Sequence, residues 1–478
     1  MSGQQKALFT LSTKMRELIV DCFAGGGGAS VGIEMALGRQ VDIAINHDPL
    51  AIKMHEMNHP NTYHYTEDIM KVSIRNQIKQ NDIVKLMWAS PDCTQHSRAK
   101  GGKPVEKGLR ILPYGVRRLC IQILDITGNL PEVIIMENVA EIQDWGPLDK
   151  NNRPIKERKG EDYKKFINSM KSLGYDFDSR ELVAADYGVP TIRKRWFAIF
   201  RCDNKQIVWP PKTHSKGGVD GMQEWVPASA NIDFTDLGKS IFDRKKPLAE
   251  KTQIRITNGI NKFIINNPKP FIVPEKDAMA FLIQYHSESR KGDVRGQNLD
   301  EPLQTIDTSN RYELVTAFIT KFYKTGTGQG CDEPLHTITT SPGHFGLVSA
   351  FLIKYYGNEI DGQSVDLPLG TIVTKDRFGL VNVVFDIAGE KYIIKDIFLK
   401  MLKPEESKLS QGFPKDYIID HYRDWSPVPV QEQTKRIGNS VCPGVAKELV
   451  ESNVPYLKTG ERKPNMRIKD DETQLRFA

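Results

Sequence analysis

The chain has 478 residues, 39% hydrophobic and 26% charged, which is typical of a globular protein with two or three domains. The formal net charge of +6 is a mild excess that permits a nucleic-acid partner without establishing one. No apolar stretch could span a bilayer and no signal peptide precedes Leu18, so we expect no membrane partner and a cytoplasmic location. The six cysteines are scattered without a Cys-x-x-Cys pair, which argues against a disulfide framework and a bound metal.

The first predicted unit is a strand, a glycine turn and a helix. The apolar run Glu17–Cys22 precedes four consecutive glycines, Gly25 to Gly28, and a helical pattern of apolar residues follows up to Leu37. Such a unit lets the backbone approach a nucleoside closely and points a helix N-terminus at it. The alternative to nucleoside binding is that the four glycines form only a flexible turn. A dinucleotide site stays open, although the spacing is not G-x-G-x-x-G.

Polar residues follow the next two predicted strands. Val41–Ile45 ends at Asn46-His47-Asp48, which suits contacts to ribose hydroxyls, although a lone histidine such as His47 is more typical of ordinary surface. Glu67-Asp68-Ile69 follows at another predicted strand end. There Asp68 can accept a hydrogen bond from an exocyclic amine or simply be a solvated turn residue.

A cysteine follows the next predicted strand, Ile83–Ala89. This buried parallel strand ends at Pro91, and Cys93 comes two residues later. Because ligands of open α/β sheets lie beyond the carboxyl ends of the strands, the thiol is placed where reactions occur. For this stretch alone, a small buried structural cysteine is the more frequent outcome. Residues 98–118 hold seven basic residues against one acid, which indicates either solvated surface or a lid that contacts phosphates.

Charged side chains accompany two later strands. Pro131–Met136 is predicted as a buried strand, and Glu137 directly after it puts a carboxylate at the same sheet edge as the thiol. Arg193 and Arg195 precede the predicted strand Trp196–Phe200 and lie on one face if their backbone is extended.

From about residue 205 the alternation of strands and helices stops, and prolines and glycines mark a boundary. An internal repeat then occurs three times, at about 280–315, 317–348 and 350–381. Each copy opens with Ala-Phe, contains Pro-Leu and Thr-Ile, and closes with an aromatic residue and Leu-Val. This pattern predicts β-rich units that bury a shared core. A helix is predicted around Ile397–Ser410, and Arg436–Val441 is predicted to open another.

Taken together, these stretches closely resemble the DNA cytosine-5 methyltransferase family of bacteria and phages, from about residue 17 to 452 and in the family's linear order. Each motif is short, but the ordered set is highly specific. The motifs that carry the resemblance are the glycine turn with Asp21 and Phe23, Cys93-x-x-x-Ser97, Glu137-Asn138-Val139, Arg193-x-Arg195, Gln411-Gly412-Phe413-Pro414 and Gly438-Asn439-Ser440-Val441.

The chain departs from the family pattern at several positions. Asp92, Thr94 and His96 replace the usual second Pro, Gln and Phe around the cysteine. Thr191 stands where a Gln is usual, and Asn46 stands where a Glu usually holds the cofactor ribose. An amide still hydrogen-bonds a hydroxyl, whereas a carboxylate at position 92 could raise the pKa of a nearby thiol.

The resemblance implies a doubly wound, Rossmann-like α/β domain that binds S-adenosylmethionine, with a β-rich target-recognition domain inserted into it. The catalytic domain would comprise residues 1–204 completed by 431–478, and the target-recognition domain 205–430 with its three repeats. Phe23 would pack on adenine, Asp68 would take the adenine amine, and Asn439 with Val441 would close the methionine end. The implied cofactor residues are Asp21, Phe23, Ala24, Gly25, Gly27, Asn46, His47, Asp68, Ile69, Pro91, Asn439 and Val441.

The resemblance also implies the chemistry. Cys93 would add to carbon 6 of a cytosine flipped out of the duplex, and Glu137 would share a proton with ring nitrogen 3. Arg195 would hold the base oxygen and Arg193 would support the site. The partner would be double-stranded DNA, bound by a monomer, and a companion restriction endonuclease stays open. The alternatives are an RNA cytosine-5 methyltransferase, a non-catalytic DNA-binding relative and a nicotinamide-dependent oxidoreductase.

Two regions are predicted to contact DNA. Ser97 and Arg98 lie beside the thiol in the sequence. In each repeat, one variable stretch separates Thr-Ile from the closing aromatic residue, and these stretches offer hydrogen-bond donors. Arginine is the commonest reader of guanine edges in the major groove. The alternative to base reading is that these stretches are exposed turns whose sequences have drifted. The donors singled out in the three stretches are Arg311, His344, Lys375 and Arg377.

Overall fold

The computed structural model describes residues 15–92, 110–242, 244–276, 278–284, 294–309, 311–322, 351–354, 378–381, 385–387 and 390–465. The chain divides into two units, of which the first comprises Met1–Val226, Gln304–Ser309 and Ser407–Ala478, and the second Pro227–Leu303 and Asn310–Glu406. The described helices are α1 Gly28–Leu37, α2 Pro49–Asn58, α3 Leu112–Thr127, α4 Glu161–Lys171, α5 Glu250–Ile260, α6 Pro404–Ser410, α7 Val430–Asn439 and α8 Pro443–Asn453. The described strands are β1 Glu17–Cys22, β2 Ile43–Ile45, β3 Tyr63–Tyr65, β4 Ile83–Ala89, β5 Val133–Asn138, β6 Asp176–Val183, β7 Lys194–Arg201, β8 His214–Ser215, β9 Gln223–Glu224, β10 Lys239–Ser240, β11 Ala278–Gln284, β12 Gly296–Gln297, β13 Tyr312–Phe322, β14 Phe351–Lys354, β15 Phe378–Val381, β16 Phe385–Ile387 and β17 Glu390–Met401.

The first unit is built on a seven-stranded sheet of order β3-β2-β1-β4-β5-β7-β6. β1 pairs in parallel with β2 and β4, β2 with β3, and β4 with β5. β7 runs antiparallel to both β5 and β6. The carboxyl ends of β1, β2, β3, β4 and β5 therefore meet at one edge, with the strand order reversing between β1 and β4, which is where such sheets bind ligands.

Apolar side chains cover both faces of this sheet. Val20 packs on one face in a buried cluster with Leu119 of α3. Its neighbour Ile19 packs on the other face with Ile33 of α1 and Leu449 of α8. Because strands between two helical layers are buried on both sides, they appear in the sequence as continuous apolar runs. This doubly wound arrangement confirms the predicted fold class. None of the described helices combines the length and apolar character that crossing a bilayer requires.

The second unit has an antiparallel sheet of order β10-β17-β13-β11-β12, with β16 paired to β17. Phe281 of β11 is 0% exposed and lies in a buried cluster with Ile256 of α5 and Val315 of β13. A Cβ on Gly259 would lie 2.1 Å from the Phe281 ring, so this glycine lets α5 approach the sheet closely. The sheet and α5 therefore form a core of their own.

The first and third repeats pair their strands in the same register. Phe281 of β11 is opposite Val315 of β13, and Phe351 of β14 is opposite Val381 of β15. The opening Ala-Phe and the closing Leu-Val of these copies are thus the two arms of one antiparallel pair. Most of the second repeat, from residue 323 on, lies outside the described residues.

The predicted helix around Ile397–Ser410 is wrong in its first part. The end of β17 reaches Met401, and the helix α6 begins only at Pro404. Ile397 and Leu399 are buried and the residue between them is half-buried, which is the period of a strand, and β17 pairs with β13 as far as Met401. Similarly, residues 436–441 do not open a helix, since α7 ends at Asn439 and α8 begins at Pro443.

The units divide the chain at other residues than those predicted. Residues 205–226 and 407–430 are expected in the target-recognition domain but belong to the first unit. Trp225 Nε1 donates to Asp186 Oδ1 at 3.1 Å, and Tyr417 packs in a buried cluster with α1. The prolines near residue 210 therefore mark a turn within the first unit and not its boundary.

We predict that Phe281→Ala lowers the free energy of unfolding of the second unit by about 3–5 kcal/mol, the usual cost of deleting a buried phenylalanine ring. Hydrogen exchange of the β11 and β13 amides measures this loss where it arises. Phe242, which is 52% exposed in the same unit, provides the control variant Phe242→Ala. That variant should change stability by less than about 0.5 kcal/mol. Equal loss of protection in the two variants would contradict the described core.

Candidate active site

The glycine turn follows β1 through residues with positive φ. Phe23 has φ 69°, Gly25 54° and Gly27 84°. The amides of Phe23 and Ala24 donate to Ile45 O at the end of β2, at 2.9 and 3.0 Å. Positive φ suits glycine and strains a residue with a side chain, so Phe23 is held by these contacts in a conformation that it does not prefer. Such strain is typical of a binding turn.

Close packing explains why the turn consists of glycines. A Cβ on Gly26 would lie 2.9 Å from Ser440 Oγ, and a Cβ on Gly28 would lie 2.2 Å from Val441 O. A Cβ on Gly25, in contrast, would meet a single atom, at 3.6 Å. The Gly-Asn-Ser-Val motif thus packs behind the turn, while Gly25 leaves room on its outer side for the atoms of a ligand.

Tyr417 holds the turn from the far end of the chain. Its hydroxyl donates to Gly26 O at 2.8 Å, although 391 residues separate the two. A Cβ on Gly27 would lie 2.0 Å from that hydroxyl. The motif Gln-Gly-Phe-Pro shortly before Tyr417 carried the family resemblance, but nothing in the sequence indicated this contact.

Asp21 lies beneath the turn and not on its open side. It is 0% exposed, and Ser30 Oγ donates to its Oδ2 at 2.6 Å. Burial raises the pKa of Asp21 to about 7, against the opposing effect of the Ser30 hydrogen bond. Through this hydrogen bond the carboxyl group fastens α1 to β1, and the contact of Asp21 with a cofactor stays a prediction.

The hydrogen bonds beneath the turn continue through two histidines. His55 Nε2 lies 2.9 Å from Ser30 Oγ, and His55 Nδ1 lies 2.8 Å from His64 Nε2. Burial lowers the pKa of His55 well below its usual value and that of His64 to about 4. Burial likewise lowers the pKa of His59. Neutral imidazoles thus support the turn, a role that no pattern in the sequence indicated.

The other predicted cofactor residues differ in exposure. His47, Asp68 and Asn439 are exposed, and Asn46 is half-buried. Asn46 Oδ1 accepts a hydrogen bond from Asp48 N at 2.8 Å, so the amide NH2 group is what Asn46 can offer a ribose. The remaining predicted cofactor residues that are buried are Ala24, Ile69, Pro91 and Val441.

A side-chain hydrogen bond ties the end of β4 to the end of β5. Ala89 pairs with Met136, directly before Glu137. Asn138 Nδ2 donates to Pro91 O at 3.0 Å in a buried position. Cys93 lies outside the described residues, but the chain that leads to it is held beside the end of β5 as far as this contact.

The structure brings Glu137 and Arg195 together. Glu137 is 8% exposed, and Arg195 Nε lies 3.3 Å from its Oε1. Burial raises the pKa of Glu137, and the guanidinium groups of Arg195 and Arg193 oppose that rise. A buried carboxyl group with a raised pKa holds a proton more readily than an exposed one, which is what a proton donor requires.

Arg193 donates to two backbone carbonyl groups. It is 4% exposed, and its Nη1 donates to Ile306 O and Gly438 O, each at 3.0 Å. Arg193 therefore joins three stretches of the first unit that are far apart in the sequence.

Four of the six cysteines lie in the described part of the chain, and burial raises the pKa of each of their thiols. The pKa of Cys22 is raised well above its usual value, that of Cys120 to about 12, and those of Cys202 and Cys442 to about 11. Such thiols stay protonated at neutral pH and are poor nucleophiles. None of these four competes with Cys93 for that role.

Several predicted DNA contacts lie outside the described residues and stay predictions, namely Ser97, Arg98, His344, Lys375 and Arg377. Arg311 is described, and it directly precedes β13 of the second unit.

Across the described ranges, no three histidine, cysteine or acidic side chains are grouped as a metal site would need.

A C-5 cytosine-specific DNA methylase domain matches residues 18–454, which include the glycine turn, the Glu137–Arg195 pair and the motif around Gly438. The chain belongs to this family. The predicted family and enzyme class, a DNA (cytosine-5) methyltransferase, are confirmed by this match, as is the methyltransferase fold.

Among related sequences, the Type II methyltransferase M.SacI of Streptomyces achromogenes is 24% identical over 47% of this chain and 57% of its own length. The Type II methyltransferase M.AquIA of Picosynechococcus sp. is 26% identical over 42% of this chain and 78% of its own. The alignment thus spans little more than half of the Streptomyces relative. The crystal structure of the S. pombe Dnmt2 methyltransferase is 15% identical, with a TM-score of 0.46 over 92% of this chain and 99% of that one.

We predict that acid destabilises the protein through the buried histidines. Below pH 6.5 an unfolded chain protonates His64, whereas in the folded protein the pKa of His64 is about 4. The contribution of His64 to the free energy of unfolding therefore falls as the pH drops from about 6.5 to about 4. In His64→Gln the slope of the free energy of unfolding against pH should be smaller, because the unfolded chain of this variant binds one proton fewer. Denaturant unfolding at several pH values measures it, and parallel curves for the two proteins would contradict the prediction.

Proposed function

We propose that this protein transfers a methyl group from S-adenosylmethionine to carbon 5 of cytosine in a specific duplex DNA sequence, through a covalent bond between Cys93 and carbon 6. The observation that supports this most is the buried Glu137–Arg195 pair, which lies at the end of β5 beside the chain leading to Cys93. The match to the C-5 cytosine-specific DNA methylase family gives the substrate base and the position methylated.

The reaction needs a nucleophile because carbon 5 of cytosine is itself unreactive. The Cys93 thiolate adds to carbon 6, and carbon 5 then forms a bond to the methyl group while the methyl–sulfur bond breaks. Loss of the proton at carbon 5 releases the thiolate and restores the aromatic ring. The base must leave the duplex stack for these steps, which makes base flipping part of the proposal.

Glu137 and Arg195 stabilise the charge that this addition creates. Electron density moves toward ring nitrogen 3, where a carboxyl group that is protonated can donate its proton. The raised pKa of Glu137, caused by burial, suits this role. Arg195 offers guanidinium donors to the neighbouring base oxygen and keeps the pKa of Glu137 from rising further.

The residues around the glycine turn fit S-adenosylmethionine. A Cβ on Gly25 would meet a single atom within 4 Å, and the polar side chains of His47, Asp68 and Asn439 are exposed and available to a ligand. When bound, this cofactor supplies an electrophilic methyl group. Phe23 would contact the adenine, Asp68 would accept from its amine, and Asn46 would donate to the ribose.

Double-stranded DNA is the proposed partner, and the Type II names of the relatives support a companion restriction endonuclease. Arg311, together with the variable stretches of the other two repeats, is proposed to read base edges. We propose that the protein acts as a monomer in the cytoplasm, without a metal ion. An RNA substrate or a non-catalytic DNA-binding role would each appear as a distinct outcome of the experiments below.

We predict that Cys93→Ala abolishes methyl transfer and retains cofactor affinity, because other strand ends form the cofactor site. DNA with 5-fluorocytosine should trap the unaltered enzyme covalently, since fluorine blocks the final proton loss. The matched control is Cys442→Ala, which removes a buried thiol and should still be trapped. Denaturing electrophoresis of the DNA adduct gives the result. Turnover by Cys93→Ala would refute the covalent pathway.

We predict that Arg195→Gln slows single-turnover methylation by roughly 10- to 100-fold, the usual worth of a hydrogen bond from a charged group. Removing the cation destabilises the Glu137 carboxylate, so the pKa of Glu137 rises. The limb of the pH profile on which activity falls as Glu137 loses its proton should therefore move to higher pH. The control is Lys194→Gln at the adjacent cation, which pairs with Glu181 at 2.6 Å. A profile that is unshifted by Arg195→Gln would contradict the pairing.

A further inference from the structure

Six residues in the middle of the repeat region belong to the catalytic unit. Gln304–Ser309 is part of the first unit, although the chain on both sides of it belongs to the second. We call these residues the inserted segment. It contains Thr305-Ile306 of the first repeat, and its last residues start the variable stretch that ends at Arg311. In the sequence, the inserted segment thus ends two residues before Arg311, one of the proposed base readers.

The inserted segment is held by its main-chain carbonyl groups. Thr191 Oγ1 donates to Gln304 O at 3.0 Å, and Arg193 Nη1 donates to Ile306 O at 3.0 Å. Contacts of this kind depend on the position of the backbone and not on the identity of the side chains they hold. They would therefore tolerate sequence change within the inserted segment while fixing where it lies.

Thr191 and Arg193 act on the inserted segment as a connected pair. Thr191 is 0% exposed, and its Oγ1 also accepts a hydrogen bond from Arg193 N at 3.3 Å. Arg193 in turn donates to Gly438 O at 3.0 Å. A Cβ on Gly438 would lie 2.0 Å from Asp307 O, so the inserted segment packs directly on the motif behind the glycine turn.

The same pair leads to the proposed catalytic carboxyl group. Arg195, two residues after Arg193, is the partner of Glu137. The charges of both arginines oppose the rise that burial causes in the pKa of Glu137. A displacement of the inserted segment would therefore break the hydrogen bond of Arg193 to Ile306 O. If Arg193 then moved, its effect on the pKa of Glu137 would change.

We propose that Thr191 is a positioning residue that couples base recognition to methyl transfer, by fixing the inserted segment against Arg193 and Gly438. This proposal rests on the proposed function and goes beyond it, since it assigns a role to a residue that departs from the family pattern. A threonine hydroxyl can both accept from Arg193 N and donate to Gln304 O. When the wrong base pair displaces the inserted segment, Arg193 loses its partner at Ile306 and the reaction slows.

The test compares single-turnover methylation of the recognised duplex with that of duplexes changed at one base pair outside the target cytosine. The measured quantity is the rate on the recognised duplex divided by the rate on the changed duplex. Thr191→Val removes the hydroxyl at nearly constant volume, and Thr191→Ala removes it with a smaller side chain. Thr191→Ser keeps the hydroxyl. The matched control is Thr62→Val, which removes another buried threonine hydroxyl, bonded to Val41 O at 2.7 Å.

We expect Thr191→Val and Thr191→Ala to lower the rate ratio by about fivefold for at least one changed base pair, the usual worth of one neutral hydrogen bond. Thr191→Ser and Thr62→Val should keep the ratio of the unaltered enzyme. A purely structural role would lower both rates together and leave the ratio unchanged, and that result would overturn the proposal. Failure of the proposed function itself is distinguishable, because the unaltered enzyme would then methylate no cytosine.

Discussion

The close packing of the glycine turn against the end of α7 is the constraint on which the catalytic unit depends. The turn and the motif at Gly438 come from opposite ends of the chain, yet a Cβ on Gly28 would lie 2.2 Å from Val441 O. Backbones this close leave no room for a side chain, so glycine is required there. The seven-stranded sheet is thereby completed by helices from both ends of the sequence, and the second unit is inserted between them.

This closure also sets the electrostatics of the site. Helices cover both faces of the sheet, and the carboxyl groups of Asp21 in β1 and Glu137 in β5 are both buried. Burial raises the pKa of both Asp21 and Glu137, but their partners differ. The Ser30 hydroxyl donates to Oδ2 of Asp21 beneath the turn, whereas the Arg195 guanidinium lies beside Glu137 at the end of β5. The first carboxyl group joins α1 to β1, and the second is the one that we propose transfers a proton.

The parts that could be predicted from the sequence are those that depend on local pattern. Apolar runs between turn residues predicted β1 and β4, and the order of short motifs indicated the family. The end of β17 could not be predicted, because its pairing with β13 is non-local and its apolar residues also suit a helix. The burial of Asp21 and the contacts of Tyr417 and Thr191 likewise depend on residues that are distant in sequence. No periodicity or spacing can indicate such contacts.

In the proposed reaction, one carbon atom of one base, in one duplex sequence, receives the methyl group. Incubation of the purified protein with duplex DNA and isotopically labelled S-adenosylmethionine tests it most directly, followed by nucleoside mass spectrometry and sequencing with modified-base detection. We expect label in 5-methylcytosine alone, at a single recognition sequence. Label in N4-methylcytosine or N6-methyladenine, label only when RNA replaces the DNA, or no label at all would contradict it.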